Sequence, residues 1–148
     1  MKMETVILSK MRNLLGGAAV TKHPIRTPLD LIELSDKGID KRALLRLADH
    51  LGVPVSQMAE WLPVTERTIQ RYSAKQRFSR VVSEHILQIA KVAAKGEDVF
   101  GGKEKFLEWM KQPIPALANR TPRSLLTYRY GTELVLIELG RIEHGVHS

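Results

Sequence analysis

The sequence predicts an all-α protein, and three features of it carry that prediction. Thr-Pro opens two segments, at Thr27-Pro28 and Thr121-Pro122, as an N-cap followed by proline at the first helical position. Apolar residues then recur at i, i+3, i+4 and i+7, the stripe of a half-buried helix. No segment of four or more residues alternates apolar and polar like a strand, and nothing repeats at a fixed period.

Each element follows from such signals. Residues 1–26 have no cap and no clean period, so a flexible basic arm is expected there. After Pro28, with Asp30 in the first turn, come Leu29, Ile32 and Leu34, and Gly38 stops the helix. Asp40 caps a helix striped by Leu44, Leu47, Ala48 and Leu51, which Gly52 ends and Pro54 keeps ended. Ser56 caps a helix over 57–62, and Thr65 caps one over 66–74. A fifth helix runs from Ser79 to Lys95; it buries Val82, Ile86, Ile89 and Ala93, widened by Leu87 and Ala90, and Gly96 closes it. A Gly101-Gly102 turn precedes a helix over 103–111 bearing Phe106, Leu107, Trp109 and Met110. Trp109, Phe106 and Phe100 are expected in the core, because so small a unit needs large side chains. Pro113 and Pro115 force an extended link. Thr121 opens a helix with Leu125, Leu126 and Tyr128 that Gly131 stops, and Thr132 caps a last helix with Val135, Leu139 and Ile142 on one face. Three parts result: the arm 1–26, a helical unit 27–78 and a second helical unit 79–148.

Composition bounds the function. The chain has 148 residues, 43% apolar and 26% charged, the balance of an ordinary globular protein. It has no cysteine, which excludes a disulfide framework, a thiolate metal site and a thiol nucleophile and fits a reducing cytoplasm, the expected location. No apolar run approaches the roughly 18 residues of a membrane span. Lys10 and Arg12 interrupt Val6-Ile7-Leu8 too early for a secretory segment. The net charge of +7 is concentrated. Residues 65–80 hold Arg67, Arg71, Lys75, Arg77 and Arg80 against Glu66, a local +4, and residues 1–28 hold another +4. Basic segments on an otherwise balanced chain point to nucleic acid as a partner.

The stretch SQMAEWLPVTERTIQRYSAKQRFSR, residues 56–80, has the order of a helix-turn-helix. Ala59 is small where two helices must approach. Trp61, Leu62 and Ile69 fill the space between them, and Val64 lies in the turn. Pro63 stands where such turns commonly have glycine. Thr65, Glu66, Arg67, Thr68, Gln70 and Arg71 remain to face outward, followed by Lys75 and Arg77. Arginine takes guanine bidentately, glutamine takes adenine, and threonine takes a phosphate or a thymine methyl. Thr65 at a helix start joins backbone N–H groups at a phosphate. These eight residues are the candidate DNA contacts.

Other chemistry finds little support. His144 and His147, beside Glu143, are two ligands at most, and a zinc site wants three or four. His85 beside Glu84, and His50 beside Asp49, point apart on a helix. The GEDVFGGKE segment lacks the spacing and the Ser/Thr of a phosphate loop. No nucleophile–base–orienter set is visible, so no catalytic residue, metal or cofactor is assigned. A small hydrolase or nuclease is disfavoured on that ground. The residues alone leave open a stand-alone repressor whose second unit dimerises or senses a ligand.

The run Thr65-Glu66-Arg67-Thr68-Ile69-Gln70-Arg71, then Phe78-Ser79, Val82-Ser83-Glu84 and Ile89-Ala90, resembles the Xre antitoxins that carry a ParS/MbcA/Xre toxin-binding domain. The resemblance continues through Val99-Phe100-Gly101, Trp109-Met110, Pro113, Ala116-Leu117, Pro122, Leu125-Leu126, Gly131, Val135, Leu139 and Ile142 to Gly145. Phe106 departs from it, where many relatives have a small residue. So does Asn119-Arg120, where a glycine-containing turn is usual. The resemblance implies a non-enzymatic antitoxin of a type II toxin–antitoxin module. Its partner would be a RES-domain toxin that consumes NAD. The antitoxin would dimerise, repress its own operon through the helix-turn-helix and cover the toxin's NAD pocket with its chain end. The implied toxin contacts are Glu138, Arg141, Glu143, His144, Gly145, Val146, His147 and Ser148, with Glu143 and the terminal carboxylate competing for cationic groups that hold the dinucleotide.

Overall fold

The structure is a computed structural model and describes the backbone of residues 2–145 and side chains from Glu4 onward. Nine α-helices form among these residues, with two isolated β-bridges and no strand. They are α1 (Lys2–Leu14), α2 (Pro28–Lys37), α3 (Lys41–Leu51), α4 (Val55–Trp61), α5 (Glu66–Arg71), α6 (Arg80–Phe100), α7 (Lys103–Met110), α8 (Pro122–Leu125) and α9 (Arg129–Gly145). Helix α6 is the axis of the molecule: α1, α2, α3, α7 and α9 all pack on it. Its Val82, Ile86, Leu87, Ile89, Ala90 and Ala93 are buried, as the stripe predicts.

The N-terminal segment corrects the expected flexible arm. It folds into α1, whose Ile7, Leu8 and Met11 are buried against α6 and α3, as are Leu15 and Ile25 beyond it. Ile7, Leu8, Met11 and Leu15 do share a helical face, but Lys10 and Arg12 obscure it in the sequence. Those cations are used within the fold. Lys10 pairs with Asp98 at 3.3 Å. Arg12 donates to the Thr21 carbonyl at 2.7 Å and so fixes the loop after α1.

The N-caps Asp40, Thr65, Ser79 and Thr121 each accept a backbone N–H inside the first turn of their helix. At α2 the Asp30 carboxylate reaches back to the N–H groups of Arg26 and Thr27, which hold its pKa below the usual range. The face of α2 differs from expectation. Leu29 and Ile32 are exposed, whereas Leu34 packs on the core as expected, together with Leu31 and the buried Ser35. Helix α4 starts one residue ahead of Ser56, without a side-chain cap. Helix α5 ends at Arg71 and not at 74. Tyr72 turns extended, stacks on Phe78 at 5.0 Å, and gives its carbonyl to the Lys41 ammonium at 3.0 Å.

Two glycines expected to stop helices lie inside them. At Gly96 a Cβ would stand 2.1 Å from Phe106 Cδ1, so α6 continues while glycine admits the ring of α7. At Gly131 a Cβ would stand 1.9 Å from the Leu125 carbonyl oxygen, so the start of α9 crosses the end of α8 in close contact. Thr132 is therefore internal and not a cap. Its hydroxyl donates to the Arg129 carbonyl at 2.7 Å and accepts from Gln88 at 3.2 Å. The turn at Asn119-Arg120 takes left-handed conformations at Ala118 and Asn119, φ 56° and 61°. Phe106 is fully buried, while Phe100 and Trp109 pack at the core's edge.

Candidate functional site

The first site is the α4–α5 pair. Ile69, Trp61 and Leu62 are buried between and beneath the helices, and Ala59 and Val64 pack at the margin. Burying Ile69 turns Arg67, Gln70 and Arg71 outward together with Thr65, while Glu66 and Thr68 are half-buried. Arg67, Gln70, Arg71 and the following Lys75 are exposed, and none of their side chains has a hydrogen-bond or ion-pair partner among the described residues. The two threonines are differently placed. The Thr65 hydroxyl accepts from Thr68 N at 3.1 Å and donates to Thr68 Oγ1 at 2.9 Å, so it serves the helix cap. Arg77 extends to the carbonyls of Lys37 and Gly38, both at 3.5 Å, across the end of α2. The outward cationic set is thus Arg67, Arg71 and Lys75.

The segment after α5 is held from below. Lys41 N donates to the Gln76 carbonyl, Arg42 N to that of Ala74 and Phe78 N to that of Ile39. Ser83 on α6 accepts from Ile39 N at 2.8 Å and donates to the Phe78 carbonyl. These bonds fasten the basic connector to the start of α3 and to α6.

The second site is the C-terminal end. Val135 and Leu139 are buried as predicted, but Ile142 is only half-buried and Glu138 lies inside at 9% exposure. Glu138 accepts from Arg141 at 2.6 Å. It is a poor candidate for direct contact, because its carboxylate already holds that guanidinium. Glu143 is paired with Lys95 of α6 at 2.8 Å, so its charge is balanced within the chain. Arg141, His144 and Gly145 are exposed. Val146, His147 and Ser148 lie outside the described residues. No three His, Asp or Glu side chains converge as metal ligands among the described residues. His85 is buried, with Nε2 at 2.6 Å from the Leu126 carbonyl, and His50 pairs with Glu97.

A third set joins α4 to α8 and the residues after it. Arg123 on α8 donates to Gln57 Oε1 on α4 at 2.9 Å and lies over the Trp61 ring, 5.5 Å from its centroid. Thr127 donates to the Glu60 carbonyl at 3.3 Å. Sixty-odd residues separate these partners, and no local pattern announces them.

A helix-turn-helix with an outward cationic face, carried on a second helical unit, defines the class. The family model described as the antitoxin Xre-like helix-turn-helix domain matches residues 30–91. The antitoxin Xre/MbcA/ParS C-terminal toxin-binding domain matches residues 95–145. The chain belongs to this Xre/MbcA/ParS antitoxin family, with a helix-turn-helix domain followed by a toxin-binding domain. Antitoxin Xre of Yersinia enterocolitica is 35% identical over 99 residues, covering 66% of this chain and 67% of that one. Antitoxin Xre of Photorhabdus laumondii is 39% identical over 80 residues, 53% and 54% of the two chains. The Prs ADP-ribosylating antitoxin of a Sphingobium strain is 30% identical over 132 residues, 82% and 83%. The M. tuberculosis MbcT–MbcA toxin–antitoxin complex contains a chain of the same fold, with TM-score 0.52 and 20% identity over 67% of this chain and 88% of that one. No helix among the described residues is long and apolar enough to cross a membrane.

Proposed function

We propose that this antitoxin neutralises a RES-domain, NAD-consuming toxin by covering its active site with the end of α9 and the residues after it. As a homodimer it also represses its own operon through α5. The antitoxin is not an enzyme, and the NAD belongs to the toxin. The observation that carries the reading is the outward Arg67–Gln70–Arg71 face, whose side chains have no hydrogen-bond or ion-pair partner among the described residues, on the same chain as a C-terminal toxin-binding domain. Arginine and glutamine side chains released in this way suit base edges, and Lys75 suits a phosphate. Dimerisation supports the specificity. A helix of six residues reaches few bases, and helix-turn-helix dimers read half-sites one helical turn, roughly 34–36 Å, apart. The test is co-expression with the neighbouring reading frame of its operon. The reading expects co-purification, loss of NAD consumption on complex formation, and retardation of the operon's upstream DNA. A neighbour that is not captured, or that consumes NAD unhindered in the complex, contradicts it.

A further inference from the structure

We infer that Arg123, within the toxin-binding domain, is a positioning residue for the DNA-reading helices. The inference rests on the proposed reading of DNA by α5. Helix α4 is short, and its own polar attachment to the rest of the molecule is concentrated on one segment, residues 121–128. Arg123 makes two of those contacts. Its guanidinium donates to Gln57 Oε1 at 2.9 Å and covers the face of Trp61. The amide of Gln57 is oriented for this: its Nε2 donates to Glu60 Oε2 at 3.2 Å, which leaves Oε1 toward Arg123. The Glu60 carbonyl accepts from Thr127. One planar cation thus meets a fixed acceptor and an aromatic face at once, which a lysine cannot do with the same geometry.

The platform behind Arg123 is anchored. Thr121 caps α8, Leu125 and Leu126 are buried, and His85 of α6 holds the Leu126 carbonyl. Gly131 lets α9 press on Leu125. Trp61 is itself buried, under α5 with Ile69. A guanidinium fixed to this platform therefore sets the angle of α4, and α4 sets that of α5, whose Arg67 and Arg71 face outward. The toxin-binding domain in this way holds the reading head it does not itself contain.

The test uses the full chain. Hydrogen exchange is followed in wild type, Arg123→Ala and Arg123→Lys, and binding is titrated against a duplex from immediately upstream of the chain's own coding region. A scrambled duplex of equal length serves as the nonspecific probe. Loss of Arg123 is expected to speed exchange at α4 and α5 while α6 and α9 stay protected. It should weaken specific binding about fivefold to tenfold, as one lost contact of this kind implies, and leave the salt dependence unchanged. Arg123→Lys should recover part of the affinity. A salt slope reduced by about one charge makes Arg123 a phosphate contact and overturns the inference. So does unchanged exchange at α4 and α5, or a uniform loss of protection over the whole molecule. If wild type binds neither duplex, the DNA reading fails, and the exchange pattern still decides whether Arg123 positions α4.

Discussion

The ring of Phe106 lies directly on the backbone of Gly96, in space a Cβ would occupy at 2.1 Å from Cδ1. The large ring on α7 is thus matched by a residue with no side chain on the facing helix α6. Gly96→Ala should destabilise the fold by about 1–3 kcal/mol, because overpacking at a buried ring outweighs the gain of roughly 1 kcal/mol in helix propensity. Urea unfolding measures it, as a lower midpoint with unchanged slope. A stabilised variant would mean that the two helices do not meet here.

Helix α1 belongs to the core. Met11 is fully buried, so Met11→Ala should cost about 2–5 kcal/mol. Deleting residues 1–25 should lower the melting temperature sharply, since Ile7, Leu8, Met11, Leu15 and Ile25 leave the core together. An unchanged melting temperature would restore the unfolded arm that the sequence suggests.

Much of this molecule is legible in local sequence. The caps at Asp40, Thr65, Ser79 and Thr121 are local chemistry, and the stripe of α6 is a simple period. So is the outward set on α5, because burial of Ile69 dictates it. The misreadings come from contacts distant in the chain. Gly96 and Gly131 look like stops until Phe106 and the Leu125 carbonyl are seen against them. The α1 stripe is interrupted by Lys10 and Arg12, whose partners lie at Asp98 and Thr21. Glu143 looks like a spare acid until Lys95 is placed beside it. Arg123 gives no local signal of its bond to Gln57.

Arg67 and Arg71 should carry base contacts. The double alanine variant should lose specificity, with each arginine that reads a base worth about 1–3 kcal/mol. Operator titration over a salt series is the measurement. An unchanged affinity and slope would remove α5 from the DNA interface.

Glu84 of α6 joins the start of α9 through Arg129 and pairs within its own helix with Arg80, both at 2.6 Å. Hydrogen bonds from Arg129 and then Arg80 hold its pKa below the usual carboxylate range. A carboxylate whose folded pKa is depressed stabilises the fold above its unfolded pKa, and the contribution is lost as pH falls toward the folded value. Both arginines are more than half exposed, so the effect is screened and small, up to about 1 kcal/mol. Glu84→Gln should lower stability at neutral pH and narrow the difference from wild type in acid. An equal difference across the acid range would assign the loss to packing instead of charge.

The proposed neutralisation by the chain end is read most directly as NAD consumption by the purified proposed partner toxin, mixed with either the full-length protein or one truncated after Arg141. The truncated form keeps α5 and the buried Val135 and Leu139 of α9. It should still capture the toxin and bind DNA while NAD consumption returns. Inhibition by the truncated form equal to that of the full chain would contradict a role for the end of α9 in covering the active site.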